Sequence, residues 1–335
     1  MEVFAEMEIS IWDHARYVKD RSNPYPEMAA MLRRFAKAGI SRTDIYLPEV
    51  GNLDAYCTAA LEAGMTVEAR LHPQHAMERP PMRVLTEEQR CKMKAEQGIV
   101  LEAPCPCHPE FKRQLAEAAE RVLEQYGDRL MGLQLDFIRG PNARCLLDYP
   151  CGCEACRAAR QRYYGFEMPP ETVLREPWYL YKETARLNVH VRAALIAVAE
   201  VTHRFGRKLS MAARSNYTNC GDPKGGLGPA VLEGQDWADW ASDGLLDEII
   251  PMNYHTNHEY YVNHLQSHLR LLAGTPVKFT SGVARESSMG LLPPSEFRRR
   301  FEALSAAGVH GAFIFNKTNL YSDDYLSVIQ EYASK

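Results

Sequence analysis

The chain reads as a single (β/α)₈ barrel. Three observations predict it. Short apolar runs alternate with helical stretches eight times. No glycine fingerprint of a dinucleotide-binding sheet follows the first run. The 335 residues exceed the ~250 of a plain barrel by about the length of two polar excursions. Strands that alternate with helices imply parallel pairing, because each parallel crossover needs a helix to return the chain.

Residues 7–12 (MEISIW) form the first strand, and residues 25–38 a helix in which Met28, Met31, Leu32 and Phe35 recur at helical spacing. Residues 44–47 (DIYL) are the second strand, 53–63 a helix and 66–71 (TVEARL) the third strand. Residues 72–107 are polar and contain Pro80-Pro81, so they read as an excursion from the barrel. Residues 109–126 are a strong helix, opened by Pro109 and closed by Gly127. Residues 130–138 (LMGLQLDFI) are the fourth strand, and a second excursion spans 139–177. A long helix over 178–204 leads to strand five at 208–213 (KLSMAA) and a short helix at 235–242. Strand six covers 246–253 (LDEIIPMN), with a helix at 259–272 behind it. Strand seven covers 277–283 and strand eight 311–315 (GAFIF), each followed by a helix, at 294–306 and 324–332. Asp13-His14-Ala15-Arg16 follows strand one where a doubly wound sheet wants G-x-G-x-x-G, and Gly225-Gly226-Leu227-Gly228 reads as a flexible loop. No second domain is needed.

Composition narrows the function. The chain is 46% hydrophobic and 24% charged, an ordinary balance for a globular protein. With 39 basic against 43 acidic side chains the net charge is −4, which gives no general attraction for nucleic acid. No apolar run approaches the ~18 residues that span a bilayer, so no membrane partner is expected. The start, MEVFAEMEISIWDH, carries acids where a signal peptide needs cations, and a cytoplasmic location is expected. Trp178, Tyr179 and Tyr181 mark either a homo-oligomer contact or packing against the loops.

Barrel enzymes work at the C-terminal ends of their strands. Those ends carry Trp12, Asp13 and His14 after strand one, Glu49 after two, and Arg70 with His72 after three. Strand four brings Asp136 and Arg139, and strand five Arg214 and Asn216. Strand six brings Asn253, Tyr254 and His255, strand seven Arg285 and Glu286, strand eight Asn316 and Lys317. Carboxylates, cations, amides and aromatics in one mouth suit a small carbohydrate, which offers hydroxyls and apolar ring faces. Tyr46, Tyr217 and Tyr321 are further stacking platforms within reach.

Asp136 stands out because it interrupts an apolar strand. A carboxylate there is costly to desolvate unless paired or functional, and Arg139 is the nearest cation in sequence to pair it. Glycoside hydrolysis needs two carboxyl groups facing each other across the bond. Strands four and seven oppose one another across an eight-stranded mouth, so Asp136 with Glu286 is the expected catalytic pair. Glu49, Asp13, Asp247 and Glu248 are reserves; Glu248 lies inside strand six and Asp247 near its start, at the wrong end of the barrel, so both rank low.

Nine cysteines are an odd count, and Cys151, Cys153 and Cys156 form C-x-C-x₂-C. Close thiolates of this kind converge on a tetrahedral zinc, and four of them close a structural site. The fourth ligand is expected to be Cys107, with Cys105, His108 and Cys145 as alternatives. Such a site pins the loop after strand four against the helix after strand three. No motif implies an organic cofactor.

GLQLDFIRGP (132–141), the CGCEACR run (151–157) and GQDWADWASDGLLDEIIPMNYHT (234–256) together resemble the family-10-like glycosyl hydrolase group of (β/α)₈ proteins. The resemblance covers roughly residues 100–257, and implies a catalytic role for Asp136 and a pocket-lining one for Tyr254. The cysteine run is similar to the zinc module of family 42 β-galactosidases, where a Cys upstream of the third helix, here Cys107, completes the set. That family's acid is a Glu two residues after the strand-four Asp, where this chain has Ile138. The expectation is therefore a glycoside hydrolase acting on an oligosaccharide or glycoconjugate. A barrel that binds carbohydrate without cleaving it is the alternative, supported by Ile138. A metal-dependent sugar isomerase or epimerase ranks lower, because Arg214, Asn216, Asn316 and Lys317 are poor cation ligands.

Overall fold

The computed structural model describes residues 7–13, 18–46, 53–141, 148–218, 227–316 and 322–333. In chain order its first half contains β1 (Glu8–Asp13), α1 (Tyr25–Lys37), β2 (Ile40–Tyr46), α2 (Leu53–Glu62), β3 (Thr66–Leu71), α3 (Pro73–Ala76), α4 (Glu87–Gln97), α5 (Pro109–Tyr126) and β4 (Gly132–Leu135). There follow α6 (Glu154–Tyr164), α7 (Glu171–Leu174), α8 (Pro177–Arg204), β5 (Lys208–Ala213), α9 (Pro229–Leu232), α10 (Trp237–Ser242) and β6 (Glu248–Pro251). The chain ends with α11 (His258–Leu272), β7 (Lys278–Ser287), β8 (Gly290–Leu291), α12 (Pro294–Ala307), β9 (Gly311–Asn316) and α13 (Asp323–Tyr332). β1 to β7 pair in sequence order, all parallel, and β9 closes the ring between β7 and β1. β8 is a short antiparallel return on the end of β7. This is the closed (β/α)₈ barrel that the alternation predicts.

The excursions are not structureless. The first carries α3 and α4, and α4 opens on a capping box in which Thr86 and Gln89 satisfy each other's backbone N–H groups. The second carries α6 and α7. α5, with Pro109 in its first turn, turns a stripe of Phe111, Leu115, Ala119 and Leu123 inward and packs against α8. Gly132 sits where β4 meets β5 so closely that a Cβ would stand 2.1 Å from the Lys208 carbonyl oxygen. Tyr179 is buried against the Tyr164 ring, while Trp178 and Tyr181 are exposed. Among the described residues no helix is long and apolar enough to cross a membrane.

Side chains alternate in and out along each strand, and the inward ones stack in layers. The lowest layer is ionic. Arg42, 1% exposed, donates from Nε to Ser10 Oγ at 2.8 Å and from Nη2 to Glu248 Oε1 at 2.9 Å, and its Nε lies 4.0 Å from Glu68 Oε2. Thr280 donates to the same Glu248 carboxylate. Burial pushes the Glu68 carboxyl up to about 8. Above this layer the Arg42 guanidinium lies 5.0 Å from the Phe313 ring centre, and Phe313 stacks on Trp12 at 4.3 Å. Glu248 is thus locked under the barrel floor, which removes it from the reserve acids.

Removing one partner of a buried ion pair strands the other, at a cost of about 3–5 kcal/mol. Arg42→Met is therefore expected to lower unfolding free energy by about 3–5 kcal/mol in chemical denaturation. Arg34→Met, which removes an exposed pair to Asp323, is expected to change it by less than about 1 kcal/mol.

Candidate active site

β4 stops at Leu135, yet the ladder continues one residue further, with Asp136 N donating to Leu71 O at 3.0 Å. Phe137 then has φ +56, the one positive φ outside glycine among the described residues. A bulky side chain held there costs on the order of 1–3 kcal/mol and persists only where its surroundings enforce it. The turn leaves the Phe137 ring 46% exposed at the barrel mouth, beside a cavity that Asp136 also lines.

That cavity measures about 530 Å³, within the ~300–1,000 Å³ typical of small-molecule sites. Its floor is aromatic. Tyr254 and Phe315 stack at 5.0 Å, and Trp12 stands edge-on to them at 6.0 and 6.1 Å. The Trp12 indole N–H donates to Gln134 below. Asp136, Arg139 and Arg70 form one wall, Arg214 and Asn216 the next, and His255 with Ser287 and Ser288 the far side.

Asp136 is held from beneath. Arg70 Nε donates to Asp44 Oδ1 at 2.5 Å, and Arg70 Nη1 lies 3.9 Å from Asp136 Oδ2. Asp44 is fully buried, and burial pushes its carboxyl up to about 7 against the pull of Arg70. Asp136 Oδ1 is buried and has no hydrogen-bond partner, as has Arg70 Nη2. Arg139, expected to pair with Asp136, pairs instead with Glu233: Nη1 donates to Glu233 Oε2 at 2.8 Å. Arg214 bonds the same carboxylate, from Nη2 to Oε1 at 3.1 Å. The reason is local. The chain doubles back after Phe137, with Arg139 N on Phe137 O at 2.8 Å, and Gly140 N donates to Glu233 O at 2.7 Å, so Arg139 is drawn toward the segment after β5.

Trp12, Arg70, Asp136, Arg139, Arg214, Asn216, Tyr254 and His255 thus meet around one cavity. His72 lines an adjoining cavity of about 230 Å³, and burial pushes its imidazole down to about 4. Asp13 and Asn253 turn elsewhere. Asp13 Oδ2 accepts from the Tyr56 hydroxyl at 2.6 Å, and Asn253 Nδ2 donates to Tyr261 O at 2.9 Å, so both tie strand ends to the helical layer. Glu286 is not among the cavity's lining residues; its carboxylate lies 3.9 Å from Arg285 Nη1, and the three residues after it form the wall. The β7–β8 hairpin accounts for this, since Glu286 pairs there with Leu291. His14, Glu49, Lys317, Tyr321 and Cys145 lie outside the described residues, as does the Asn316 side chain.

Sequence reasoning passed over Asp44, Phe137 and Glu233. Asp44 carried the same signal as Asp136, an acid inside an apolar strand. Glu233 carried none, because its partners come from two other strand ends. Gln235 belongs with it: its Oε1 accepts from Arg214 N at 2.8 Å. Gly234, between them, has φ +85, and a Cβ there would meet Leu187 at 2.7 Å.

Cys105, Cys151, Cys153 and Cys156 place their sulfurs within 4.8 Å of one another, all buried. Cys105 therefore takes the position expected for Cys107, which is buried beside the cluster and lines the same small void. The turn explains the exchange: Cys105 O accepts from His108 N at 3.1 Å, and His108 caps α5 through Nδ1, so Cys107 and His108 belong to the helix start. Neighbouring thiols, Cys105 first, hold the Cys156 thiol well below its ordinary range, and Arg186 donates to its sulfur at 3.8 Å. Four buried thiols at such spacing are a metal-type donor set.

No protein-family model and no curated protein sequence matches the chain. Solved structures do resemble it. The glycoside hydrolase domain of PgaB (BpsB) from Bordetella bronchiseptica superposes with a TM-score of 0.65 at 12% identity, over 98% of this chain and 99% of that one. A class V chitinase from Pseudomonas fluorescens Pf-5 gives 0.55 at 8% identity, and an endo-1,4-β-D-mannanase from Thermotoga petrophila RKU-1 gives 0.53 at 11%, each over 98% and 99% of the two chains. At such identities the likeness shows the fold alone, and that fold is the barrel on which these glycoside hydrolases are built.

Proposed function

We propose that the protein is a glycoside hydrolase that cleaves an oligosaccharide or glycoconjugate in the 530 Å³ cavity, with Asp136 at the scissile bond. The observation that carries this reading is the Asp136 carboxylate, fixed from below through Arg70 and Asp44, with Oδ1 buried and unpartnered beside an aromatic floor. Tyr254, Phe315 and Trp12 offer faces and edges to the apolar side of a sugar ring. Arg214, Asn216 and Ser287 offer donors and acceptors to its hydroxyls. A carboxylate so placed opposes the positive charge that develops on an oxocarbenium-like transition state. We assign the second carboxyl group to Glu286, which sits at the root of the Ser287–Ser288 wall.

Among the described residues Asp136 is the one carboxylate lining the cavity, and this favours a second reading, a barrel that binds carbohydrate without cleaving it. Turnover separates the two. Against a glycan panel, Asp136→Asn is expected to lose more than about 10³-fold in kcat, the scale of lost charge and proton-transfer roles, while remaining folded by circular dichroism at the assay temperature. Glycans bound but never cleaved by the wild type would select the binding barrel.

We further propose that the four-thiol cluster holds Zn²⁺ as a structural ion. The Cys105–Cys156 and Cys105–Cys153 sulfur separations of 3.6 and 3.8 Å match the ~3.8 Å edge of a tetrahedron with Zn–S bonds of ~2.3 Å. Cys151 Sγ also accepts backbone N–H groups from Val84 and Cys153 at 3.4 Å, bonds that suit a thiolate. Four protein ligands leave no open position, so the ion cross-links the chain and takes no part in catalysis. Elemental analysis is expected to find about one zinc per chain. Cys105→Ser is expected to lose the metal and unfold at lower denaturant, whereas Cys107→Ser keeps it; the reverse pattern would return Cys107 to the ligand set.

A further inference from the structure

The 530 and 230 Å³ cavities share three residues, Phe137, Arg139 and Arg214. The strained Phe137 therefore stands as a partition with Asp136 immediately before it in the chain. Its ring packs on the His72 ring at 4.7 Å, and the Arg139 guanidinium lies 4.3 Å from its centre. A ring fixed in this way is a platform for a second sugar, next to the one in the larger cavity.

Two guanidiniums and one buried carboxylate meet at the partition, and the Asp136 carboxylate, engaged by Arg70, is close enough to act on Arg139 as well. Arg139 and Arg214 share one carboxylate, Glu233, which is fully buried behind them. Arg214 Nη2 donates to that carboxylate at 3.1 Å, and its Nε lies 3.0 Å from Oε2 without a hydrogen bond. Arg139 commits only Nη1, to Glu233 and to Gly140 O at 3.3 Å. Its side chain is 8% exposed, and its Nε is buried with no partner. The Nε–Nη2 edge of a guanidinium is a planar fork that suits a carboxylate or a sulfate. Leaving buried guanidinium donors unsatisfied is costly unless something completes them. The other acid at the smaller cavity, Glu102, is paired to Arg90 at 2.8 Å and its side chain is 57% exposed. His72, beside Phe137, is neutral near pH 7, so it neither adds to nor offsets the cations.

From this geometry we infer that the smaller cavity is a second sugar subsite that takes an anionic residue, its carboxylate or sulfate held by Arg139 from the Nη2 side, which Glu233 does not occupy. The inference rests on the hydrolase reading for the larger cavity and adds the class of substrate: an acidic oligosaccharide rather than a neutral one.

The test is binding and cleavage of matched glycans by the whole protein. Uronate-containing, sialylated and sulfated oligosaccharides are compared with their neutral counterparts, by calorimetry and by product release. The expected result is at least tenfold tighter binding of one acidic class, a preference that shrinks as salt is raised. Carboxylated and sulfated members identify which anion the fork prefers. Arg139→Gln is expected to remove the acidic-over-neutral preference, and Phe137→Leu to weaken acidic and neutral ligands alike, which keeps the test open should either variant fold poorly. Neutral glycans bound as well as acidic ones, or a preference untouched by Arg139→Gln, would overturn the subsite. Asp136-dependent cleavage of neutral glycans alone would do so while leaving the hydrolase in place. Acidic glycans bound through Arg139 but never cleaved would keep the subsite and discard the hydrolase.

Discussion

The site depends on one buried guanidinium. Arg70 stands between an acid that water cannot reach, Asp44, and an acid that faces the cavity, Asp136. A cation so deep must be compensated, and the two carboxylates compensate it from opposite sides. Because Arg70 Nε is committed to Asp44, the guanidinium plane is fixed, and Nη1 is left directed at Asp136. The result is a carboxylate whose position is set by strands β2 and β3 as well as its own β4. Sites carried on rigid elements hold their geometry better than sites on loops.

The same logic runs down the barrel. The lowest inward layer sets Arg42 among Glu248, Glu68 and Ser10. Its guanidinium lies under Phe313, Phe313 lies under Trp12, and Trp12 with Tyr254 and Phe315 makes the cavity floor. The ionic layer and the aromatic floor are thus successive steps of one stack. Gln134, inward on β4, accepts the Trp12 indole N–H and fixes the tilt of that ring. A floor so supported has little freedom to reshape around a ligand, so selectivity must come from the walls, where the strand-end side chains differ in charge and reach.

The barrel itself was legible because periodicity survives in a single sequence: a strand alternates, a helix recurs, and eight units leave few other closures. Asp136 was legible for a related reason, since an acid among Leu133, Leu135 and Ile138 breaks the pattern. Pairings across the mouth were not. Arg139 lies three residues from Asp136 in sequence, yet the positive φ of Phe137 and the Gly140–Glu233 bond carry it to a partner 94 residues away. The fourth thiol was misplaced by two residues for a comparable reason. Cys105 and Cys107 look alike in a list of spacings, and only the start of α5 decides which one is free to join the cluster. Asp44 could have been found with the rule that found Asp136; Glu233 could not, because nothing adjacent to it in the chain announces two arginines from other strands.

The cysteine cluster and the charged wall are neighbours, and this gives the cluster a purpose within the fold. A void of about 40 Å³ separates the thiols from Pro141 and Leu232. Pro141 follows Gly140, and Leu232 precedes Glu233, so the two segments that the cluster abuts are the two that hold Arg139 and Arg214. Arg160 donates to Cys151 O at 2.6 Å and to Glu167 O at 2.9 Å, tying α6 to the residues before and after it. Long loops after a barrel strand are costly to order, and β4 is followed by one that must hold an arginine still beside a strained aromatic. The Zn²⁺ proposed above would cross-link that loop to the segment before α5 and so restrain its base. The four-thiol cluster then stands to the wall as Asp44 stands to Asp136: it lines neither cavity, and it lies behind the backbone from which the cavity-facing side chains project.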